Sequence, residues 1–151
     1  MRKSGSELDG QIEICFSLMQ KMEQFFAEYA RKKGLTYAGL MVLRIIYEEK
    51  SCTQKQISDM TGYPKQTVNM IIRGFQEKEW VELKESSEDR RIKMVRLTSE
   101  GMAFATKTIE PFQACVRKVF GLIDAKDRMG MAKALSAFDD AFSIEIKGLL
   151  S

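Results

Sequence analysis

Histidine is absent from this 151-residue chain, and several kinds of active site are absent with it. Without imidazole there is no histidine-based catalytic triad, no histidine-ligated metal and no imidazole base. No glycine-rich phosphate loop occurs in the sequence either. Acidic residues are plentiful, but no spacing pairs them into an acid–base site. We therefore expect a protein that is not an enzyme and that needs no cofactor.

Cysteine is also scarce, because the chain has only Cys15, Cys52 and Cys115. An odd number without a short-spaced pair argues against a disulfide framework and a structural zinc site. No apolar run is long enough to cross a bilayer, and residues 1–7 lack the apolar centre of a signal peptide. These absences predict a cytoplasmic protein without membrane contact.

The excess of positive charge is small, with 24 Lys and Arg against 21 Asp and Glu. A net charge of +3 is weak support for a polyanionic partner. A DNA-binding protein with this charge must gather its cations on one face. Residues 53–75 meet that requirement, since Lys55, Lys65 and Arg73 stand there against Asp59 alone.

Residues 53–98 have the pattern of a helix, a tight turn, a second helix and a two-stranded ribbon. Thr53 and Gln56 have the spacing of a capping box, in which each residue satisfies a backbone N–H of the other. Gly62 suits the positive φ that ends a helix, and Pro64 suits the first position of the next helix. This order predicts a helix-turn-helix with a wing, which is an arrangement that docks on duplex DNA.

The second helix of the pair has two different faces. Apolar residues at i, i+3, i+4 and i+7 predict a buried stripe, formed by Val68, Ile71, Ile72 and Phe75. The opposite face carries long amides and cations: Lys65, Gln66, Asn69, Arg73 and Gln76. Amides can bond adenine edges, and cations can bond guanine edges or phosphates. The alternative is an ordinary solvated helix face.

The predicted wing consists of strands at residues 81–84 and 92–97, joined by a polar turn. Arg90 and Arg91 lie near its tip, where they either contact a narrow minor groove or are simply solvated. Asp89 is predicted to hold an arginine side chain in a fixed direction by a charge-assisted bond. Thr98 is expected to cap the next helix, with Glu100 in the first turn.

Four segments together resemble the MarR family of winged-helix regulators: residues 64–69, 77–81 and 89–91, and the pattern Leu97-Thr98-x-x-Gly101. The resemblance covers about residues 35–101, and its wing pattern is the most specific part. It implies a dimeric, DNA-binding transcription regulator, usually a repressor released by a small ligand or by thiol oxidation. It also implies that Arg91 is the wing arginine with Asp89 as its partner, and that residues 63–73 form the recognition helix.

The motif and the resemblance together identify a set of candidate contacts to DNA. These predicted DNA-binding residues are Thr53, Gln54, Lys65, Gln66, Thr67, Asn69, Arg73, Asp89, Arg90 and Arg91.

The flanking regions predict helices with more apolar surface than the winged part can cover. A heptad seam runs through Leu8, Ile12, Cys15, Met19, Met22, Phe26 and Tyr29. Two C-terminal helices follow, and Pro111 is expected to kink the first of them or to mark a break near Glu110. A partner subunit is the expected cover, and a helical cap on a monomer is the alternative. We expect one domain over residues 1–151, with residues 35–101 binding DNA and residues 6–33 and 102–150 forming the dimerisation region.

Two features are candidate sensors. Cys15 and Tyr37 resemble the organic-hydroperoxide-sensing branch of the family, but Met19 and Leu40 stand where that branch has tyrosines. The alternative is that Cys15 is a small buried hydrophobe in the seam. The second feature is the ten methionines, five of them within residues 19–70, which suit an adaptable apolar pocket or a plain core. A pocket would lie between the N-terminal helix, the helix at residues 37–47 and the winged part.

These inferences predict a mainly α fold with a small β-wing, in a homodimeric regulator that binds an inverted-repeat operator in double-stranded DNA. It is expected to act as a repressor released by a small apolar ligand through a shift between two dimer spacings. The alternatives are a thiol-based peroxide sensor of the same family and a winged-helix module for protein–protein contact.

Overall fold

The computed structural model describes residues Ser6–Ser151. The segment that precedes Ser6, on which part of the signal-peptide prediction rests, lies outside the described residues. Within these residues, six helices and three short strands follow one another, as the mainly α prediction requires. They are α1 (Glu7–Lys32), α2 (Tyr37–Glu49), β1 (Cys52–Thr53), α3 (Gln54–Thr61), α4 (Lys65–Glu77), β2 (Val81–Glu85), β3 (Lys93–Leu97), α5 (Ser99–Gly121) and α6 (Ala125–Leu150).

A core forms beneath the helix-turn-helix because the helices there carry apolar residues at helical spacing. Leu40, Leu43 and Ile46 of α2 are fully buried, as are Ile57 of α3 and Ile72 of α4. Of the stripe predicted on α4, three members are buried and Ile71 is half-buried. Burial of one such side chain contributes about 1.5–3 kcal/mol, so this face fixes how α4 lies on the protein.

The turn between α3 and α4 has the predicted capping. The Thr53 hydroxyl accepts the backbone N–H of Gln56 at 3.1 Å, and the Gln56 side chain accepts the backbone N–H of Thr53 at 2.8 Å. Gly62 ends α3 with φ +75°, which a side chain would oppose. Pro64 was predicted to be the first helical residue of α4. It is instead the N-cap residue, with an extended ψ of 147°, and Lys65 is the first helical residue. Its fixed φ still prepares the helix start.

The wing is a three-stranded antiparallel sheet in the order β1-β3-β2, rather than the two-stranded ribbon predicted. The buried Val95 at the centre of β3 is paired with Cys52 on one side and with Leu83 on the other. The added strand β1 immediately precedes α3. The wing is therefore hydrogen-bonded to the residue that caps the helix-turn-helix.

Gly101 explains the Leu97-Thr98-x-x-Gly101 pattern, since a Cβ at this position would lie 1.8 Å from the carbonyl oxygen of Trp80. The Thr98 hydroxyl donates to the Glu79 carbonyl at 2.6 Å and accepts the Gly101 backbone N–H at 3.0 Å. Thr98 thus caps α5, as predicted. The Trp80 ring stacks on Phe104 with 3.8 Å between ring centroids. This junction holds the base of the wing against the start of α5.

The terminal helices leave large apolar side chains in water. On α1, the outer seam residues are exposed, among them Leu8 and Met22. The predicted break near Glu110 is wrong, because α5 continues through Pro111 to Gly121. A proline removes one helical hydrogen bond, and the other bonds of a 23-residue helix outweigh that loss. No residue of α6 is buried.

The described residues form two compact units, one ending at Ile109 and the other spanning Glu110–Ser151. Within the first unit, the Tyr29 hydroxyl donates to the Thr108 carbonyl at 2.7 Å and joins α1 to the first half of α5. The prediction of one domain over residues 1–151, with its three subregions, stays a prediction.

Candidate nucleic-acid interface

A concave surface lies along α4 and the start of α3, with a volume of about 890 Å³. It includes five of the predicted DNA-binding residues and four others. Its lining consists of Gln54, Lys55, Lys65, Gln66, Asn69, Met70, Arg73, Gly74 and Glu77. We call this surface the α3–α4 face. Long polar side chains from α3 and α4 converge there. Those of α4 face outward because the opposite side of this helix carries the buried apolar stripe.

Lys65, Asn69 and Arg73 form a row on α4 at four-residue spacing. Within the described residues, neither Lys65 nor Arg73 takes part in an ion pair. Lys55 differs, because its ammonium lies 2.8 Å from Asp59, and the hydrogen bond and charge of that carboxylate raise the pKa of Lys55. The row therefore offers two uncommitted cations with an amide between them.

The amide of Asn69 donates from Nδ2 to Oε1 of Gln54 at 3.3 Å. This bond joins the middle of α4 to the first residue of α3. Five predicted residues lie elsewhere, three of them in the wing. Of the other two, Thr67 is half-buried outside the α3–α4 face, and the Thr53 hydroxyl serves the cap of α3. Thr53 instead lines a smaller concavity of about 360 Å³ between α3 and the wing.

Four members of the α3–α4 face were not among the predicted DNA-binding residues, although Lys55 was counted among the clustered cations: Lys55, Met70, Gly74 and Glu77. Met70 is the most informative of them, since 67% of its surface is exposed between polar neighbours. An exposed thioether can contact apolar groups such as a thymine methyl. Its spacing of four from Gln66 was the available signal.

The wing tip is a tight polar turn with two exposed arginines. The Ser86 backbone N–H donates to the Ile92 carbonyl at 2.9 Å and closes the hairpin. Asp89 accepts the backbone N–H of Arg91 at 2.9 Å and forms no ion pair within the described residues. Among the described residues, the bond from Asp89 to an arginine guanidinium is not formed, and the role of Asp89 in DNA binding stays a prediction. Its carboxylate shapes the turn through the Arg91 backbone N–H.

Comparison with known proteins identifies this arrangement. Residues 33–92, which contain α2, the helix-turn-helix and most of the wing, match the sequence profile of the MarR family. Residues 33–92 are a MarR-family region of the chain. The family consists of DNA-binding transcription regulators rather than enzymes.

Solved structures extend the likeness over nearly the whole chain. NMB1585, a MarR family regulator from Neisseria meningitidis, is 26% identical with a TM-score of 0.78, covering 91% of this chain and 97% of that one. A mutant of MarR from E. coli, solved in complex with operator DNA, is 18% identical with a TM-score of 0.67, covering 89% and 97%. The second likeness shows the shared fold alone.

The transcriptional regulator PapX from Escherichia coli is 28% identical over 95 residues. The match covers 62% of this chain and 58% of PapX, so the chain spans less than two thirds of that relative's length.

The three cysteines of the chain lie in different surroundings. Cys15 and Cys115 are exposed, whereas Cys52 is buried in β1. Burial, together with the nearby Glu49, raises the pKa of Cys52 to about 11. The exposure of Cys15 in a single chain means that the predicted burial of its thiol depends on a partner subunit.

Tyr63 precedes α4 and lies close to α1 and α2. Its pKa is raised by burial and by the charges of Tyr37 and Glu23. The Tyr37 ring also stacks on Phe26 of α1, with 6.1 Å between ring centroids. The aromatic side chains of Phe26, Tyr37 and Tyr63 thus lie in the region where an effector pocket was predicted.

Within Ser6–Ser151, no helix combines the length and hydrophobicity that a bilayer-spanning segment requires.

Proposed function

We propose that this protein is a homodimer that binds an inverted-repeat operator and represses transcription until a small apolar ligand releases it. The observation that carries the proposal is the α3–α4 face, where Lys65, Asn69 and Arg73 form an exposed row beside Gln54 and Gln66. An α-helix with such a row fits the major groove of B-DNA. A mutant of MarR with the same fold was solved with operator DNA, and this supports the same use here.

Each residue type on the α3–α4 face has a definite role in this proposal. Lys65 and Arg73 contact phosphates or guanine edges, and Gln66 and Asn69 read bases. Thr53 and Thr67 lie beside the face and contact the DNA backbone. Arg90 and Arg91 at the wing tip reach the adjacent minor groove, where the negative potential attracts arginine.

Dimerisation is supported by apolar surface that a single chain leaves in water. On α1, large apolar side chains such as Leu8, Ile14 and Phe25 are more than 60% exposed. On α6, Leu135, Phe138 and Phe142 are 52%, 45% and 47% exposed. Contiguous apolar surface of this kind usually marks an interface, and a two-fold dimer is the commonest solution.

Release by a small ligand is supported by the aromatic group of Phe26, Tyr37 and Tyr63. It lies between α1, which would belong to the dimer interface, and the start of α4, which would read DNA. A ligand that binds one dimer spacing better than another shifts the population toward that spacing and lowers affinity for the operator.

A thiol-based response is the second candidate, because Cys15 is exposed rather than enclosed in the single chain. In that case an organic hydroperoxide would oxidise Cys15 and release the operator. Wild type that loses the operator at low peroxide, while Cys15→Ala and Cys15→Ser keep it, would favour this mechanism over ligand release.

The experiment that tests the proposal is selection of duplex DNA by the purified full chain, followed by binding at several salt concentrations. We expect an inverted repeat with half-site centres roughly 10–10.5 base pairs apart. Affinity should fall about 10³–10⁵-fold between 50 and 200 mM salt if 6–10 phosphates are contacted. Selected duplexes without a repeat, or an affinity that barely responds to salt, would favour the alternative of a protein–protein interaction module.

A further inference from the structure

The bond between Gln54 and Asn69 connects the two helices of the helix-turn-helix at their exposed surface. Asn69 donates from Nδ2 to Oε1 of Gln54 at 3.3 Å, although the two residues are 15 apart in sequence. Gln54 is half-buried at the start of α3, whereas Asn69 is exposed on the α3–α4 face. The less mobile side chain therefore holds the more exposed one.

The direction of this bond decides what Asn69 can still do. An amide side chain has one oxygen that accepts and two N–H groups that donate. Because Asn69 donates to Gln54, its oxygen and its second N–H remain available. Adenine presents one donor and one acceptor in the major groove, so it needs this combination. With the bond reversed, both N–H groups of Asn69 would be free and its oxygen would keep one lone pair, so the side chain would no longer be committed to the orientation that suits adenine.

We infer that Gln54 is a positioning residue that holds Asn69 in the orientation that reads adenine, so that base recognition depends on two helices. The inference rests on the proposed binding to operator DNA. It assigns Gln54 a role in specificity rather than in general affinity. A side chain that is already ordered also loses less entropy on binding.

The neighbouring residues cannot supply the same selection. Lys65 and Arg73, one helical turn to either side of Asn69, offer donors only and so cannot accept from the adenine amino group. Lys55, which follows Gln54, is paired with Asp59 at 2.8 Å. Gln66 is a further amide of the α3–α4 face. An adenine preference that Asn69→Ala abolishes therefore has its source in Asn69, and one that survives this substitution belongs to Gln66.

Three substitutions separate the loss of the hydrogen bond to Asn69 from the effect of a changed charge. Gln54→Met has similar length but cannot accept the Asn69 N–H, whereas Gln54→Glu can only accept it. Lys55→Met is the matched control, because it lowers the charge by one, as Gln54→Glu does, on the same face. Both positions lie at the start of α3, where Gln54 is partly exposed and Lys55 is exposed. Thermal unfolding verifies that each variant is folded.

The measurement is binding of the full chain to the selected operator and to duplexes with single base changes. We expect Asn69→Ala to lose an adenine preference of about 5- to 150-fold at one position in each half-site. Gln54→Met should lose the same preference at the same position, and the double variant should lose no more. Gln54→Glu should keep the preference, with a uniform loss of affinity like that of Lys55→Met.

Other results would overturn the inference in distinguishable ways. Additive losses, losses at different positions, or a Gln54→Glu variant that behaves like Gln54→Met would refute the pair and leave the proposed function intact. A wild-type chain without any base preference would refute both.

Discussion

The winged part of the chain and its last helix use apolar side chains in opposite ways. Every buried apolar side chain among the described residues lies between Ala30 and Ile109. In α6, by contrast, no residue is buried along 26 positions. The first region encloses its own core, so it can hold the α3–α4 face rigid. The second region, α6, buries no residue against its own chain. It needs another surface to pack on, because helices in proteins owe most of their stability to packing.

This difference assigns separate tasks to the two regions. A rigid core beneath α4 fixes the positions of Lys65, Asn69 and Arg73, as base reading requires. An uncovered helix can associate with a second copy and set the distance between two such faces. Substitutions in the first region should therefore change folding and base preference, and substitutions in the second should change association.

The largest effect is expected at Gly101, where the wing meets α5. Gly101→Ala should lower the free energy of unfolding by more than about 4 kcal/mol, because its Cβ would collide with the Trp80 backbone. Chemical denaturation measures the loss. Gly74→Ala on α4 is the matched control, since nothing lies within 4 Å of its Cβ. It should stabilise the protein by about 0.5–1 kcal/mol. Equal behaviour of the two variants would contradict the account of this junction.

Core truncation comes next and separates the two regions directly. Leu43→Ala, in a fully buried position, should cost about 2–5 kcal/mol of unfolding free energy. Truncation of exposed Leu135 on α6 to alanine should cost a single folded chain much less. Both variants are measured by denaturation at equal concentration, under conditions in which each chain is monomeric. Equal losses of unfolding free energy would contradict the difference between the two regions.

Association should respond to α6 and not to the core beneath α4. Replacing Leu135, Phe138 and Phe142 with serine in one variant should convert a micromolar dimer to a monomer in sedimentation. The control changes Lys133 and Asp140, which are polar residues of the same helix, to serine and should leave the dimer intact. A wild-type chain that sediments as a monomer would show that the apolar surface of α6 has another purpose.

Removing one cation from each region should give unequal effects on DNA binding. Arg91→Ala at the wing tip should weaken binding to all duplexes and reduce the salt slope by about 1 if it neutralises a phosphate. Lys147→Ala in the last turn of α6 removes the same charge and should leave the salt slope unchanged. Equal salt slopes for the two variants would show that Arg91 of the wing does not contact DNA.

The smallest effect concerns the thiols. Alkylation followed by mass spectrometry should modify Cys115 quickly and Cys52 slowly at pH 8, because a thiol with a pKa of about 11 is almost wholly protonated. Since folding raises this pKa from 9.0, the buried thiol contributes stability below pH 9 that is lost as the pH rises toward 11. Cys15 should be protected only in the dimer, so dilution should speed its modification. Fast modification of Cys52 would contradict its burial.

Local signals in the sequence were sufficient to predict much of the fold. The capping box of Thr53 and Gln56, the turn at Gly62 and the cap at Thr98 each depend on residues three or fewer positions apart or on one backbone angle. Polar spacing on α4 likewise predicted four of the nine residues that line the α3–α4 face. These features are readable because short-range hydrogen bonds and helix periodicity determine them.

Features that depend on distant residues were missed or misread. Strand β1 has only two residues, and its pairing with β3 joins Cys52 to Val95. The need for glycine at position 101 comes from Trp80, and the bond from Asn69 reaches back to Gln54. The bond that Asp89 accepts from the backbone N–H of Arg91 was not predicted, because sequence proximity cannot distinguish an arginine guanidinium from its backbone N–H. The break expected near Glu110 was also a local reading of the sequence. Helix α5 continues past Pro111 because the hydrogen bonds of the whole helix outweigh the one that the proline removes.

The most direct test of the division between a DNA-reading region and a pairing region is the stoichiometry of the complex on one selected duplex. Sedimentation of the full chain with a duplex that carries the inverted repeat should give two chains per duplex. A duplex with a single half-site should bind much more weakly. One chain per duplex, with equal affinity for the full and the half site, would contradict the account.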